Sequence, residues 1–188
     1  TTIYNSISGY YIQIIDHTAE KRVREKLLQT SEQLGLAIQG SQLGLWDWYV
    51  QTGETKFNER WAEIIGYSLK DLEPTTIQTW GELTHPDDLS RSNELIEKHF
   101  SGENPYYECE ARMRHKDGHW VWILDRGKVV ERDQEGRPVR MAGTHTDISE
   151  RKRAEEEIRE NKEKLHLILD STAEAIYGLD LNGNCTYC

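Results

Sequence analysis

The feature that most constrains this chain is an internal repeat with a period of 131 residues. Asp16-His17-Thr18 returns as Asp147-Ile148-Ser149, an offset of 147 − 16 = 131, and the same offset carries Leu27 onto Ile158. A period this long is typical of a row of whole domains rather than of a solenoid built from short units. We therefore expect the tail of one unit, one complete unit and the opening of a third, within a segment of a longer protein.

Composition narrows the classes of partner. The net charge of −10 and the isoelectric point near 5.2 disfavour binding to nucleic acid or to an anionic membrane surface, since both need a basic footprint. The sequence contains no run of 18 apolar residues that would suggest a membrane span, and its three cysteines are too few for a disulfide scaffold. The sequence predicts a cytoplasmic segment with no nucleic-acid partner and no membrane contact.

Two helices are predicted to flank the complete unit, over residues 16–36 and 148–168, opening at Asp16 and Asp147. Both carry an apolar seam at alternating spacings of four and three residues, which is the pattern of a two-stranded coiled coil. The seam residues are Val23, Leu27, Thr30 and Leu34 in the first helix, and Ala154, Ile158, Asn161 and Leu165 in the second. The pattern predicts a homodimer through these helices, although each helix could instead pack on its own domain.

Between the helices, the hydropathy pattern predicts two strands, a group of short helices and then three strands joined by glycine turns. Residues 1–15 end in a stretch rich in β-formers, which predicts the last strand of a preceding unit. The complete domain is assigned to residues 37–147, and residues 169–188 to the truncated start of a following unit. Antiparallel strands on either side of a helical insert predict an α+β fold.

The motifs along the chain resemble those of the PAS domain family with its C-terminal PAC motif. The motifs that carry the resemblance run in order from Gly44-Leu45-Trp46-Asp47-Trp48 through His85-Pro86-Asp87-Asp88 and Lys116-Asp117-Gly118 to Asp147-Ile148-Ser149. The resemblance implies a five-stranded antiparallel sheet with helices on one face. It also implies sensing or dimerisation upstream of a histidine kinase or diguanylate cyclase, with neighbouring PAS and output domains as partners in the same chain.

A signal-relay role is expected where the last strand feeds the second helix, at Thr144, Thr146, Asp147 and Glu150. A shift of the sheet there could move the helix. The alternative is that Asp147 only caps the helix, since Asp147 and Glu150 have the spacing of a capping box.

A ligand pocket is the next hypothesis, lined by Trp48, Trp61, Trp80, Met113 and Trp122, because binding pockets are mainly apolar and aromatic. The alternative is a filled core in which these side chains supply only packing. No cofactor is assigned. His99 is a candidate axial ligand should a haem be bound, and Cys109 is expected to behave as a small buried apolar residue.

Catalysis and metal binding receive less support from the sequence. His115 and His119 flank a glycine turn, and Cys185 and Cys188 have C-x-x-C spacing, but neither pair has a second half in sequence, so no metal site is predicted. His85 with Asp87 and Asp88 fits a helix start better than an acid/base centre. We expect a sensing and relay module that is not an enzyme; a small-molecule enzyme or carrier, and a cofactor-free structural spacer, stay open as alternatives.

Overall fold

The computed structural model describes residues 3–7, 10–14, 18–171, 178–179, 182 and 185–187, and the chain divides into two compact units between Leu43 and Gly44. In the first unit, strands β1 (Ile3–Ile7) and β2 (Tyr10–Ile14) pair antiparallel, so the strand predicted before residue 16 is present. Helix α1 spans Thr18–Ser41, whereas the sequence predicted its end at Leu36. The helix continues until the positive φ of 57° at Gln42 stops it. Asp16, the predicted helix start, lies outside the described residues.

The second unit is built on a five-stranded sheet with the order β4-β3-β7-β6-β5, in which all neighbours are antiparallel. The predicted meander of three strands is confirmed as β5 to β7. The strands are β3 (Gly44–Tyr49), β4 (Thr55–Phe57), β5 (Tyr107–Arg114), β6 (Trp120–Arg132) and β7 (Pro138–Asp147). The chain is therefore the α+β fold that the sequence predicted.

Four helices connect β4 to β5, each starting at a residue suited to that position. They are α2 (Glu59–Ile64), α3 (Leu69–Leu72), α4 (Ile77–Leu83) and α5 (Pro86–Phe100). Asn58 caps α2 by accepting the Trp61 N–H, and α5 starts with Pro86 after His85, whose Nδ1 accepts the Asp87 N–H at 3.3 Å. The predicted role of His85 as part of a helix start is confirmed.

The core lies between these helices and one face of the sheet. Period-two alternation along β5 buries Tyr107, Cys109, Ala111 and Met113, and against them pack side chains of α2, α4 and α5 that include Trp61, Trp80 and Ile96. Cys109 is buried as expected, and burial raises the pKa of its thiol, which keeps it protonated and unreactive. The other face of the sheet therefore carries the alternate residues of each strand.

Helix α6 (Ser149–Ser171) leaves the sheet at the end of β7, and a short strand pair, β8 (Gly178–Leu179) with β9 (Cys185–Tyr187), follows it in sequence. None of the helices in the described part of the chain is both long and apolar enough to cross a membrane.

Candidate functional site

A small cavity lies between the helices and the sheet, and two of the predicted pocket residues, Trp48 and Trp80, line it. Its volume of about 30 Å³ has room for about two water molecules. Trp61 and Met113 are fully buried in the same core but do not line the cavity. For these two residues the structure matches the filled-core alternative, in which large side chains supply packing area.

The prediction that Trp122 lines the pocket is wrong. Along β6, Val121 and Ile123 are buried on the core side, so the period of two places Trp122 on the opposite, outer face. There the indole ring is covered by two cations, with the Lys152 Nζ 5.0 Å and the Arg112 Cζ 5.4 Å from the ring centroid.

The polar centre of the cavity is Asp125, which the sequence analysis missed. Its Oδ1 accepts the Trp46 indole N–H at 2.8 Å and lies 3.2 Å from the Nε2 of His145, its direct cross-strand neighbour. Its Oδ2 accepts the Tyr107 hydroxyl at 3.0 Å. The Asp125 and His145 side chains are only 5% and 2% exposed, so each depends on these partners to compensate for lost hydration.

Tyr107 extends this network to the helices. Because the Tyr107 hydroxyl proton is directed at Asp125, the 2.7 Å contact with Ser92 Oγ on α5 is a bond that Ser92 donates. Burial and the nearby Asp125 charge raise the pKa of Tyr107 well above its ordinary value, so it stays a hydrogen-bond donor. We call these five residues the Asp125 cluster: Trp46, Ser92, Tyr107, Asp125 and His145. The cluster links α5 to four consecutive strands of the sheet, β3, β7, β6 and β5.

Two glycines make room for the Trp46 indole. Gly127 and Gly143 are direct cross-strand partners, and Trp46 is paired with Gly143 in turn. A Cβ on Gly127 would meet the indole at 2.3 Å, and one on Gly143 would meet it at 2.4 Å and the Arg126 carbonyl oxygen at 2.0 Å. The missing side chains let the indole lie across the sheet and reach Asp125.

Some polar atoms around the cavity have no partner. Across the residues that the structure describes, no acceptor is within hydrogen-bond distance of the buried indole N–H groups of Trp48, Trp61 and Trp80. A buried donor without a partner costs free energy, commonly about 1–3 kcal/mol. Since Trp48 and Trp80 line the cavity, an acceptor inside it, water included, is the natural way to satisfy them.

The predicted relay residues lie where β7 passes into α6. Thr144 and Thr146 are half-buried residues of β7, on either side of His145. The helix was expected to open at Asp147, which has capping-box spacing to Glu150, but it begins at Ser149. Asp147 is still part of β7, opposite Ile123, and its carboxylate accepts the N–H of Ser149, at 2.8 Å, where the helix begins.

The start of α6 is fixed to the sheet by further bonds. The buried Ile148 donates its N–H to the Trp122 carbonyl at 2.9 Å, and the Trp122 N–H is donated to Ser149 Oγ at 3.1 Å. On the outer face, Glu110 of β5 accepts Arg151 at 2.6 Å and lies 2.5 Å from the Lys152 Nζ. These two cations lower the pKa of Glu110, and the hydrogen bond from Lys152 has the largest effect. We call Glu110, Trp122, Arg151 and Lys152 the Glu110 cluster.

The remaining candidates have structural partners. Asp88 is held by the Arg112 guanidinium at 2.7 and 3.1 Å and by its N–H, so the carboxylate beside His85 is committed to joining α5 to β5. His99 uses both ring nitrogens, one on the Asn104 carbonyl and one on the Val129 N–H, and does not line the cavity. His115 and His119 stack across the β5–β6 turn, and Cys188 lies outside the described residues.

The predicted dimer seams are open to solvent. In α1, Val23, Leu27, Thr30 and Leu34 are exposed, and so are Ala154, Ile158, Asn161 and Leu165 in α6. Ile158 is 68% exposed, which is unusual for an isoleucine in a repeated apolar pattern. The homodimer stays a prediction.

Comparison with known proteins places this site in a family. The sequence model described as the PAS fold matches residues 54–145. A probable diguanylate cyclase, DgcE of Escherichia coli K12, is 28% identical over 179 residues, covering 95% of this chain and 16% of DgcE. The hybrid signal transduction histidine kinase A of Dictyostelium discoideum is 25% identical, covering 70% of this chain and 11% of the kinase. The chain thus spans about a sixth or less of the length of these relatives.

A solved structure extends the likeness to the fold. A sensory box histidine kinase/response regulator from Burkholderia thailandensis is 34% identical, with a TM-score of 0.62, and the match covers 71% of this chain and 97% of that one. The three relatives named above are signalling proteins by their descriptions. The five-stranded sheet, the helical insert and the Asp147-Ile148-Ser149 junction agree with the resemblance read from the sequence. This chain belongs to the PAS domain family.

Proposed function

We propose that this chain is the sensing and relay segment of a larger signalling protein, in which the PAS unit controls an output domain through α6. The observation that carries the proposal is the start of α6. It is bonded to β6 at Trp122 and to β5 at Glu110, while the rest of the helix presents exposed apolar residues. A change in the sheet would reach the helix through these contacts.

The second part of the proposal is that α1 and α6 pair with the same helices of a second copy. Each helix carries the a/d pattern of a two-stranded coil on a solvent-exposed stripe. A polar residue, Thr30 or Asn161, stands at the same step of each seam, and such a residue can fix register and the number of strands. Because the two sequence relatives named above are a probable diguanylate cyclase and a histidine kinase, the expected partners are neighbouring PAS units and an output domain of the same chain.

A substitution in the seam tests the homodimer. Ile158→Asp places a charge in the predicted interface, and Leu167→Asp places the same charge on an equally exposed leucine of α6 outside the seam. Light scattering after size exclusion should give dimers for the unchanged chain and for Leu167→Asp, and monomers for Ile158→Asp. A monomeric unchanged chain contradicts the homodimer, and a dimer that survives Ile158→Asp places the interface elsewhere.

We infer further that this segment is not itself catalytic and acts in the cytoplasm. His85 and Asp88, the residues an enzyme or carrier would need, serve as a helix cap and as the partner of Arg112. The acidic composition and the few cysteines favour a reducing compartment without a nucleic-acid or membrane partner.

The cofactor-free spacer is favoured as second candidate by one observation, the cavity volume of about 30 Å³. Native mass spectrometry of the purified chain separates it from a ligand sensor. An added mass that disappears on denaturation identifies a bound ligand and rules the spacer out. A clean protein mass supports a unit that relays signals from its neighbours.

A further inference from the structure

The tip of the β5–β6 hairpin, remote from the core cavity, brings two imidazoles and a carboxylate together. His115, Asp117 and His119 each offer one ligand atom, and these atoms lie within 4.8 Å of one another. The His115 Nδ1 is 3.4 Å from an Asp117 carboxylate oxygen, and the rings of His115 and His119 stack with centroids 4.3 Å apart. Residues at i, i+2 and i+4 meet here because the chain reverses between them.

The backbone of the turn holds this spacing. His115 donates its N–H to the His119 carbonyl and Gly118 donates to the His115 carbonyl, both at 2.8 Å. Gly118 has a φ of 92°, which a glycine adopts without strain. The backbones of the two histidines are therefore fixed opposite each other as the strands leave the turn.

The turn is also tied to the helical layer. The Lys116 N–H bonds the Ile65 carbonyl at 3.0 Å, and the Lys116 Nζ lies 3.1 Å from the Asp71 carboxylate. The His115 ring packs directly on Gly66, where any Cβ would collide with it. A ligand at this tip would find its first imidazole already in place, so little conformational entropy is lost on binding.

Two imidazoles and one carboxylate are a common ligand set for zinc and other first-row divalent metals, with remaining positions left to water. Zinc–ligand bonds of about 2.0–2.1 Å in a tetrahedron require ligand atoms about 3.3 Å apart. The 3.4 Å between His115 and Asp117 already meets this requirement. Since all three ligand atoms lie within 4.8 Å of one another, no pair has to close by more than about 1.5 Å, a movement open to the exposed side chains of Asp117 and His119.

One existing bond competes with the metal. The His115 Nδ1 accepts the Asp117 N–H at 3.1 Å, and a metal on this nitrogen would displace it. The Asp117 N–H sits on an exposed turn, where water can take over as its acceptor. The loss is therefore small beside the gain from three ligand bonds.

We propose that His115, Asp117 and His119 form a binding site for Zn²⁺ or a similar divalent first-row metal, with water completing the coordination. The bound metal cross-links the two strands at their turn and, through His115, presses the turn against Gly66 at the end of α2. Metal binding thus stabilises the hairpin on the helical layer, at the end of the sheet remote from Gly127 and Gly143.

The test is calorimetric titration with Zn²⁺ alone. All variants carry Cys185→Ser and Cys188→Ser, because a C-x-x-C pair of thiolates binds zinc by itself. We expect one saturable site in this background. His119→Gln and Asp117→Asn should each weaken binding about tenfold or more, the scale seen when support for a metal site is removed. His166→Gln, an exposed histidine of α6, serves as the control and should bind as the background does.

Two further results keep the outcome clear. The tryptophan fluorescence of each variant, unchanged from the background, verifies that its PAS unit is folded. Absence of saturable binding in the background protein overturns the proposal. Equal affinity in the background and in either His119→Gln or Asp117→Asn also overturns it, because the metal would then be held by other residues.

Discussion

The two faces of the sheet hold their charged side chains in opposite ways. On the core face Asp125 and His145 are almost wholly buried and their partners come from within the unit. On the outer face Glu110 is one-third exposed and its partners, Arg151 and Lys152, come from the helix that leaves the unit. A buried cluster is costly to disrupt, whereas exposed ion pairs contribute little to stability and exchange readily with water.

Under the proposed function, this difference separates the residues that stabilise the unit from those that would relay a signal. Neighbouring residues of a strand point to opposite faces, so His145 of the buried cluster is flanked by Thr144 and Thr146 on the outer face. Trp122 stands in the same way between buried Val121 and Ile123. Under the proposed relay, a displacement inside the core would reach outer-face residues that are one peptide unit away along the strand, and the weak outer contacts would allow α6 to respond.

The largest effect is expected at the centre of the buried face. Asp125→Ala leaves the Trp46 N–H, the Tyr107 hydroxyl and His145 without their common acceptor, and loss of one partner from a buried pair typically costs about 3–5 kcal/mol. Urea unfolding followed by tryptophan fluorescence measures this, since all six tryptophans lie between residues 46 and 122. Asp71→Ala removes an exposed carboxylate that accepts the Ser68 N–H and pairs with Lys116, and it should cost much less than Asp125→Ala. A loss as small for Asp125→Ala would mean that the cluster is not a source of stability.

The next effect concerns the space given to Trp46. Gly143→Ala sets a Cβ against the Arg126 carbonyl and the indole, and overpacking of this kind costs about 1–3 kcal/mol. The control is Gly81→Ala in α4, where the nearest side-chain atom would be 4.0 Å away. We expect a stability equal to or above that of the unchanged chain for the control, because alanine favours helix. Equal unfolding midpoints for the two variants would contradict a tight fit of Trp46 over the glycines.

Much of this architecture was predictable from local patterns. The turn residues and the period-two alternation of β5 predicted the meander, and Pro86 with the acids after it predicted the start of α5. These signals act over a few residues and depend little on tertiary context. The same holds for Cys109, whose burial follows from its place in the alternating strand.

The failures lie where hydropathy and alternation disagree. Trp122 was assigned to the pocket because tryptophan is large and apolar, yet Val121 and Ile123 define the buried side of β6. Continuing the same alternation two residues further places Asp125 in the core, a signal that was present but overridden by its charge. Its pairing with His145 depends on the register of β6 and β7, which no local pattern of either strand specifies.

A medium effect is expected where α5 meets the edge strand. Burial alone raises the pKa of Asp88, but the hydrogen bonds and charge of Arg112 outweigh burial and leave the pKa below its ordinary value. The stability from this pair is therefore present above the ordinary pKa of aspartate and is lost as pH falls through the lowered pKa. Asp88→Asn should cost about 2 kcal/mol at neutral pH, within the range for hydrogen bonds to charged groups.

The pH dependence of unfolding by urea checks the Asp88 prediction. The difference between Asp88→Asn and the unchanged chain should shrink towards zero in acid, once Asp88 is protonated in both folded and unfolded chains. Asp87→Asn, at the exposed neighbouring carboxylate, should show little difference at any pH. A gap for Asp88→Asn that stays constant down to strong acid would assign its effect to shape rather than charge.

The smallest effect on stability, and the sharpest test of the two faces, is at Glu110. Glu110→Gln removes the charge that holds Arg151 and Lys152, and because the site is exposed the free energy of unfolding should fall by less than about 1 kcal/mol. Hydrogen exchange at residues 149–153 should nevertheless quicken, since the first turn of α6 loses its partner on β5. Glu108→Gln, which removes the Arg126 partner on the same strand, should leave that exchange unchanged.

Acid should reproduce the effect of Glu110→Gln in the unchanged chain. Lys152 and Arg151 lower the pKa of Glu110, so the carboxylate loses its charge only when the pH falls below the ordinary pKa of glutamate and through this lowered value. If exchange in α6 responded to Asp125→Ala but not to Glu110→Gln, the buried face alone would control the helix.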